Sequence, residues 1–199
     1  MFDSVLKIIY FVEFIIVATV RKAYTAKYRT LATTSDKRTV IDVIFLALNG
    51  IGMLIPLVYV FSSALGFADY AFPNWFGWVG SVLFGFSIWL LWRSHADLGR
   101  SWTPTLAIRD EHELVTKGVF RYIRHPMYAA HLLWAIAQVL MLHNWIAGYS
   151  LLVFTVPLYL LRVNSEEHMM LAHFGKEYRE YVKRTGRIIP RLFKGESRK

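Results

Sequence analysis

The residues able to do chemistry gather in two short stretches of this 199-residue chain. The first is HELVTKGVFRYIRHPMY, from His112 to Tyr128. The second is LLRVNSEEH, from Leu160 to His168. In the first, Arg124 and His125 stand directly before Pro126, which suits the first turn of a helix. A helix start at that point presents free backbone N–H groups and a positive dipole end, a ready site for an anion. Gly118 suits a tight turn just upstream. In the second stretch, Arg162 and Glu166 are four residues apart and share a face of a continuous helix. Both stretches also have plain readings. Arg121 and Arg124 serve equally as anchors at a membrane surface, and Arg162–Glu166 as an exposed ion pair of about 0.2–0.5 kcal/mol.

Other chemistries are excluded. Seven histidines raise the question of a metal, but HELVT places Thr116 where a zinc-protease helix needs its second histidine. His168 and His173 are five apart and fall on different faces of a helix, so no metal is expected. Cysteine is absent, which removes thiolate metal sites, disulfides and cysteine nucleophiles. No glycine-rich loop follows a strand, and the GIG at Gly50–Gly52 lies inside an apolar run, where it reads as packing.

The elements that must position these stretches are membrane spans. The chain is 55% hydrophobic and 16% aromatic, high for a soluble protein. A spanning helix needs roughly 20 mostly apolar residues. Met1–Val20, Val40–Phe61 and Trp75–Trp92 qualify. Met127–Leu142 and Trp145–Leu161 are shorter and are separated only by His143 and Asn144, a helical hairpin whose tip reaches the far headgroup layer. Met1–Val20 has neither the basic start nor the small-x-small site of a cleaved signal peptide. Arg21, Lys22, Lys27, Arg29, Lys37 and Arg38 follow the first span, whereas Ser62 to Asn74 contains no Lys or Arg. Basic residues return between Arg93 and Arg124 and again from Arg162 onward. Basic loops mark the cytoplasmic side. The expectation is an all-α integral membrane protein of five spans, with the N-terminus outside and the C-terminus in the cytoplasm. The charge of +9 is thereby accounted for without nucleic acid, for which no module is present. The hairpin returns the chain to the side it left, so both polar stretches meet at one surface.

Finer expectations follow. The chain forms one domain over residues 1–199, three spans in 1–92 and the polar stretches in 93–199. Ser94 to Arg124 is irregular with short helical pieces. Glu166 to Arg184 forms an amphipathic helix with Leu171, Phe174, Tyr178 and Tyr181 along one face, ended by Lys183, Arg184 and Gly186. Gly77, Ser81 and Gly85 have the small-xxx-small spacing of close helix contacts. Asn49, Gly50, Gly52 and Pro56 mark a kink or a close crossing. Glu13, alone deep in a span, is read as an inward-facing, hydrogen-bonded structural acid before a functional one.

GVFRYIRHPMY, then EE, then FGKEYREYVKRTGRIIP together resemble the isoprenylcysteine carboxyl methyltransferase family, whose prokaryotic members are close to this chain in length and span count. The resemblance covers roughly Ser94 to Pro190, which makes 93–199 the catalytic part. It implies a membrane-embedded methyltransferase with S-adenosylmethionine as cofactor, bound in a pocket at the cytoplasmic face. It implies cofactor contacts at Thr105, at His112, Glu113, Leu114 and Val115, at His125, Pro126, Met127 and Tyr128, and at Glu166. Phe120 stands where relatives carry tyrosine, which keeps a ring and loses a hydroxyl. Arg162 falls on the residue assigned to the substrate carboxylate, so Arg162 and Glu166 are the expected catalytic pair. The implied partners are membrane lipids and a lipidated or otherwise apolar thioether acid. Phospholipid N-methylation or thiol S-methylation on the same scaffold stands as the alternative. Further off stand an NADPH-dependent sterol-type reductase and a non-enzymatic membrane protein.

Overall fold

The computed structural model describes residues 2–28, 35–36, 40–99, 107–108 and 113–191. Its helices are α1 (Phe2–Tyr28), α2 (Val40–Phe61), α3 (Trp75–Leu98), α4 (Pro126–Met141) and α5 (Trp145–Arg184). A two-residue antiparallel ladder pairs Ser35–Asp36 with Ala107–Ile108. Thr105 and His112 lie outside the described residues.

Among the described residues, α2, α3 and α5 are long and apolar enough to cross a membrane, and α4 is a shorter apolar helix. Its 16 residues extend roughly 24 Å, short of a hydrocarbon core of about 30 Å. The expected spans are found as helices, with α1 and α3 each running on past the expected end. One element is corrected. The amphipathic helix expected to begin at Glu166 is not separate, because Arg162 to Ser165 contains no breaker and the helix runs through. The interruption comes instead at Gly175, with φ 53° and ψ −117°, a left-handed conformation open to glycine at little cost. The expected stripe therefore straddles a break: Tyr178 and Tyr181 are buried, while Leu171 and Phe174 are half-exposed.

The helices pack in the order α1–α3–α4–α5–α2, and α3 on α4 is the broadest contact. Small residues set these approaches. A Cβ on Gly77 would overlap the Leu6 side chain, and one on Gly80 would lie 2.7 Å from Met141 Cγ and 2.9 Å from the Ala137 carbonyl oxygen. Ser81 donates to Glu13 Oε1 at 3.2 Å, so the expected small-residue stripe faces α1 and Glu13 has a structural partner. Gly80, off that stripe, makes the α3–α4 approach. In α2, Gly52 lies against the Ser150 backbone, whereas Gly50 has open space. Thr155 donates to Asn49 Oδ1 at 2.7 Å and Ser150 to the Gly52 carbonyl at 2.8 Å. These are the crossings that the sequence marks.

Polar bonds also stitch the apolar interior. Gln138 is fully buried. It accepts from the Tyr10 hydroxyl at 2.7 Å and donates to the Ala147 carbonyl at 2.7 Å and to Ser150 at 3.0 Å. At the hairpin tip, Asn144 Oδ1 caps α5 by accepting from the Ile146 and Ala147 N–H groups. Its amide donates to the Leu65 carbonyl and to Asp69. Each such bond satisfies a group that would otherwise be orphaned in a low-dielectric interior.

The Gly80 contact yields a direct test. Gly80→Val is expected to wedge α3 from α4 and destabilise the folded protein by about 1–3 kcal/mol. Gly50→Ala is expected to be neutral or slightly stabilising. Reversible unfolding in mixed micelles, followed by circular dichroism, measures both. Equal behaviour of the two variants refutes the close-approach assignment.

Candidate active site

The functional side chains come together where the start of α4 meets the middle of α5. The preceding segment is fixed first. Gly118, with φ 58°, opens a 3-10 turn over Gly118–Arg121. Asp97 accepts from the Val119 N–H at 2.9 Å, and a Cβ on Gly118 would collide with the Asp97 carboxylate. Glycine is thus required twice, by φ and by space. Phe120 is buried, and its carbonyl accepts from the Tyr181 hydroxyl at 2.6 Å. From Tyr122 to His125 the chain runs beside the segment that follows α5. Arg124 N–H donates to the Gly186 carbonyl at 2.9 Å and His125 N–H to the Arg187 carbonyl at 2.8 Å. Gly186 is corrected in its role: its φ is not positive, and the structure uses its missing side chain, since a Cβ would overlap the Ile189 carbonyl.

Pro126 is the first residue of α4, as expected, and His125 is the N-cap, without a side-chain capping bond. The His125 ring faces α5 instead. Its Nε2 lies 3.3 Å from Glu167 Oε1 and its Nδ1 3.6 Å from Glu166 Oε2. Tyr128 donates to Glu166 Oε1 at 2.7 Å, and its ring meets Tyr159 edge-on. Arg162 lies 3.5 Å from the same Glu166 oxygen. So His125, Tyr128, Arg162 and Glu166 do converge. Arg162 is 7% exposed, which removes the exposed-ion-pair reading, and its Nε is buried without a hydrogen-bond partner. Met127 is half-buried and gives its carbonyl to His131 Nδ1. Glu113 is exposed and Leu114 and Val115 are half-buried.

The strongest polar centre is one that the sequence analysis passed over. Glu167 Oε1 accepts from Arg124 Nε at 3.0 Å, and Glu167 Oε2 accepts from Arg187 Nη2 at 2.8 Å. Arg124 also donates to the Thr185 carbonyl, and Arg187 to Asn164 Oδ1 at 3.2 Å. The signal for it was the doubled acid after Arg162: on a helix, neighbouring glutamates point about 100° apart and serve different partners. Burial opposes a charge on His125, but hydrogen bonds and charge from Glu166 and Glu167 outweigh it and raise the ring's pKa above its ordinary value. Among the described residues no group of three or more metal-ligating side chains assembles.

With this geometry in place, the chain can be set beside known proteins. Residues 78–172 match the model of the isoprenylcysteine carboxyl methyltransferase family. That segment resembles the family and makes up just under half of the chain. It is 37% identical over 94 residues to protein-S-isoprenylcysteine O-methyltransferase B of Arabidopsis thaliana, covering 46% of this chain and 48% of that protein. It is 38% identical over 81 residues to the Homo sapiens protein-S-isoprenylcysteine O-methyltransferase, covering 41% and 28%. The chain thus matches about half the length of the plant isoprenylcysteine methyltransferase and less of the human one. The solved structure of a eukaryotic intramembrane Ras methyltransferase of this family superposes with a TM-score of 0.53 at 21% identity, covering 91% of this chain and 62% of that one. The fold of the isoprenylcysteine methyltransferases is therefore shared beyond the matched segment.

The raised pKa of His125 has a measurable sign. With a folded value above the ordinary 6.5, its pairing with Glu166 and Glu167 contributes stability that is complete below the unfolded value. That contribution is lost as pH rises through the folded value. The stability difference between the native protein and His125→Gln is expected to be largest below pH 6.5 and to shrink as pH rises through the folded value. Denaturant unfolding across that range measures it. A difference that grows with pH contradicts the charged-ring pairing.

Proposed function

We propose that this chain transfers a methyl group from S-adenosylmethionine to the carboxylate of an isoprenylcysteine-type thioether acid held in the membrane. Arg162 and Glu166 are the residues that handle the two reactants. The observation that carries the reading is the buried Arg162, whose Nε lacks a partner beside a Glu166 carboxylate already oriented by Tyr128. An arginine held this way offers a planar donor edge to a carboxylate, and its burial strengthens such a bond. The names of the matched relatives support the same substrate class.

The residues present fit S-adenosylmethionine. Glu166 offers acceptor oxygens for its amino or ribose hydroxyl groups, and the rings of Tyr128 and Tyr159 give apolar surface. His125, Pro126 and Met127 form the adjoining helix start, with Leu114 and Val115 as further candidates upstream. When bound, the cofactor supplies an electrophilic methyl group. The chain's own task is then alignment. A carboxylate is ionised near neutral pH, so no general base is required. His125, committed to two glutamates, positions Glu166 rather than moving a proton. Arg162 clamps the carboxylate, and catalysis rests on placing it for in-line attack.

Arg162 and Glu166 are expected to fail differently. Arg162→Ala should keep cofactor affinity nearly intact while lowering kcat/KM by about 10- to 10³-fold. Arg162→Lys should rescue only in part, since an ammonium cannot make the planar two-bond contact. Glu166→Ala should weaken S-adenosylmethionine binding directly, and Glu166→Gln less so. Titration calorimetry and a base-labile methyl-ester assay with a farnesylcysteine analogue measure these. Normal binding and turnover in both alanine variants removes the assignment.

The distribution of Lys and Arg supports a site at the cytoplasmic face. Because the chain has no native cysteine, single-cysteine labelling is clean. Lys27→Cys and Lys183→Cys are expected to react from the cytoplasmic side, and Phe67→Cys from the other. Labelling of the first two from opposite sides overturns this orientation.

A further inference from the structure

A cavity of about 230 Å³ opens at the end of the bundle away from Glu166 and Glu167, lined by Lys7, Tyr59, Asp69, Tyr70, Phe72 and His143 among others. It lies beside Met141, at the far end of α4 from His125. That is a separation of roughly 24 Å along the helix axis, so the cavity is not part of the site already described. We propose that it holds the headgroup of a zwitterionic phospholipid, with the phosphate on Lys7 and a primary ammonium facing Asp69.

Depth is the first argument. Phe67, Trp75 and Trp145 surround this end of the bundle and are 81%, 59% and 59% exposed. Large exposed aromatics mark the membrane–water interface, so the cavity mouth lies at headgroup level. Charge is the second. Lys7 is half-buried on α1. Its ammonium lies 3.6 Å from the centre of the Tyr59 ring and donates to the Tyr59 carbonyl across a long 3.4 Å. Among the described side chains no carboxylate lies within ion-pairing distance of Lys7, and Lys7 lines the cavity. Asp69 uses Oδ1 to accept from Asn144 at 2.8 Å, and its other oxygen has no such bond among the described residues. One cation and one anion thus face the same space without neutralising each other, the pattern that a ligand carrying both charges completes.

Size and surroundings are the third. The volume suits a phosphoethanolamine group and is too small for acyl chains, which must lie outside. Ile8, Val58 and Phe61 present exposed apolar surface on α1 and α2 nearby, at 63%, 49% and 67% exposure. A fixed charge beside an apolar wall lets one lipid place its headgroup in the cavity and its chains along the helices. Bound there, the lipid ties α1 to the loop between α2 and α3.

The test reconstitutes the protein in nanodiscs of equal phosphatidylethanolamine, phosphatidylglycerol and phosphatidylcholine with matched chains. Native mass spectrometry then identifies the lipid retained after mild delipidation. The native protein is expected to retain phosphatidylethanolamine selectively. Lys7→Gln is expected to reduce retention about tenfold, as for loss of one charge-assisted hydrogen bond. Asp69→Asn keeps an oxygen for Asn144 and is expected to lose the preference for the ethanolamine lipid. Soluble phosphoethanolamine should compete for the site, whereas competition by inorganic phosphate without lipid retention identifies a small-anion site and overturns the proposal. So does equal retention of the three lipids by the native protein, or retention unaltered in both variants. Monodisperse elution and an unchanged thermal transition after complete delipidation separate lost binding from misfolding.

Discussion

The Glu167 carboxylate is the interaction on which the arrangement of this protein's polar end depends. It gathers Arg124 from the segment before α4, His125 from the cap of α4 and Arg187 from the segment after α5. Two separate pieces of chain, residues 124–125 and Arg187, are held against α5 by one side chain with 15% exposure. Buried charges of this kind are costly unless mutually satisfied, and removing one member strands the others, at about 3–5 kcal/mol. The arrangement therefore cannot relax piecemeal. Because His125 reaches Glu167 through one ring nitrogen and Glu166 through the other, the structural clamp and the candidate catalytic carboxylate share a ring. Holding the fold and aiming Glu166 are one task here.

The apolar part of the bundle follows a complementary rule. Lipid offers little hydrophobic drive for helix association, so close approach at small residues and internal hydrogen bonds must do the work. Gly77, Gly80 and Gly52 provide the approaches and Gln138, Ser150, Asn49 and Asn144 the bonds. The Glu13–Ser81 bond belongs to this set. It fits an acid that is packed against a neighbouring helix.

Much of this was legible in the sequence, and the reasons for the rest are specific. Helices longer than a bilayer is thick are visible because apolar length is a one-dimensional signal. Pro126 at a helix start, Gly118 at a turn and Asn49–Gly52 at a crossing were readable because each residue type has a restricted set of uses. Arg162 and Glu166 were paired by spacing alone. Gly80 was missed because the stripe toward α1 is read from spacing, whereas a contact with α4 requires knowing which helices are neighbours. Glu167 was missed because its partners come from positions 42 and 43 residues upstream and 20 downstream, and no local pattern connects them. The junction between α5 and the expected amphipathic helix was misplaced because a change from apolar to polar composition was taken for a change of element. Backbone geometry recognises only the glycine.

The Tyr10–Gln138 hydrogen bond spans 128 residues of chain, and this bears on assembly. The hairpin of α4 and α5 can satisfy the Gln138 amide locally, through Ala147 and Ser150. Its carbonyl and the Tyr10 hydroxyl can meet only after all the intervening chain has been inserted. Until then α1 carries a hydroxyl without this partner, and the pair closes as a latch between α1 and α4. The seating of α1 thereby waits on the insertion of α4.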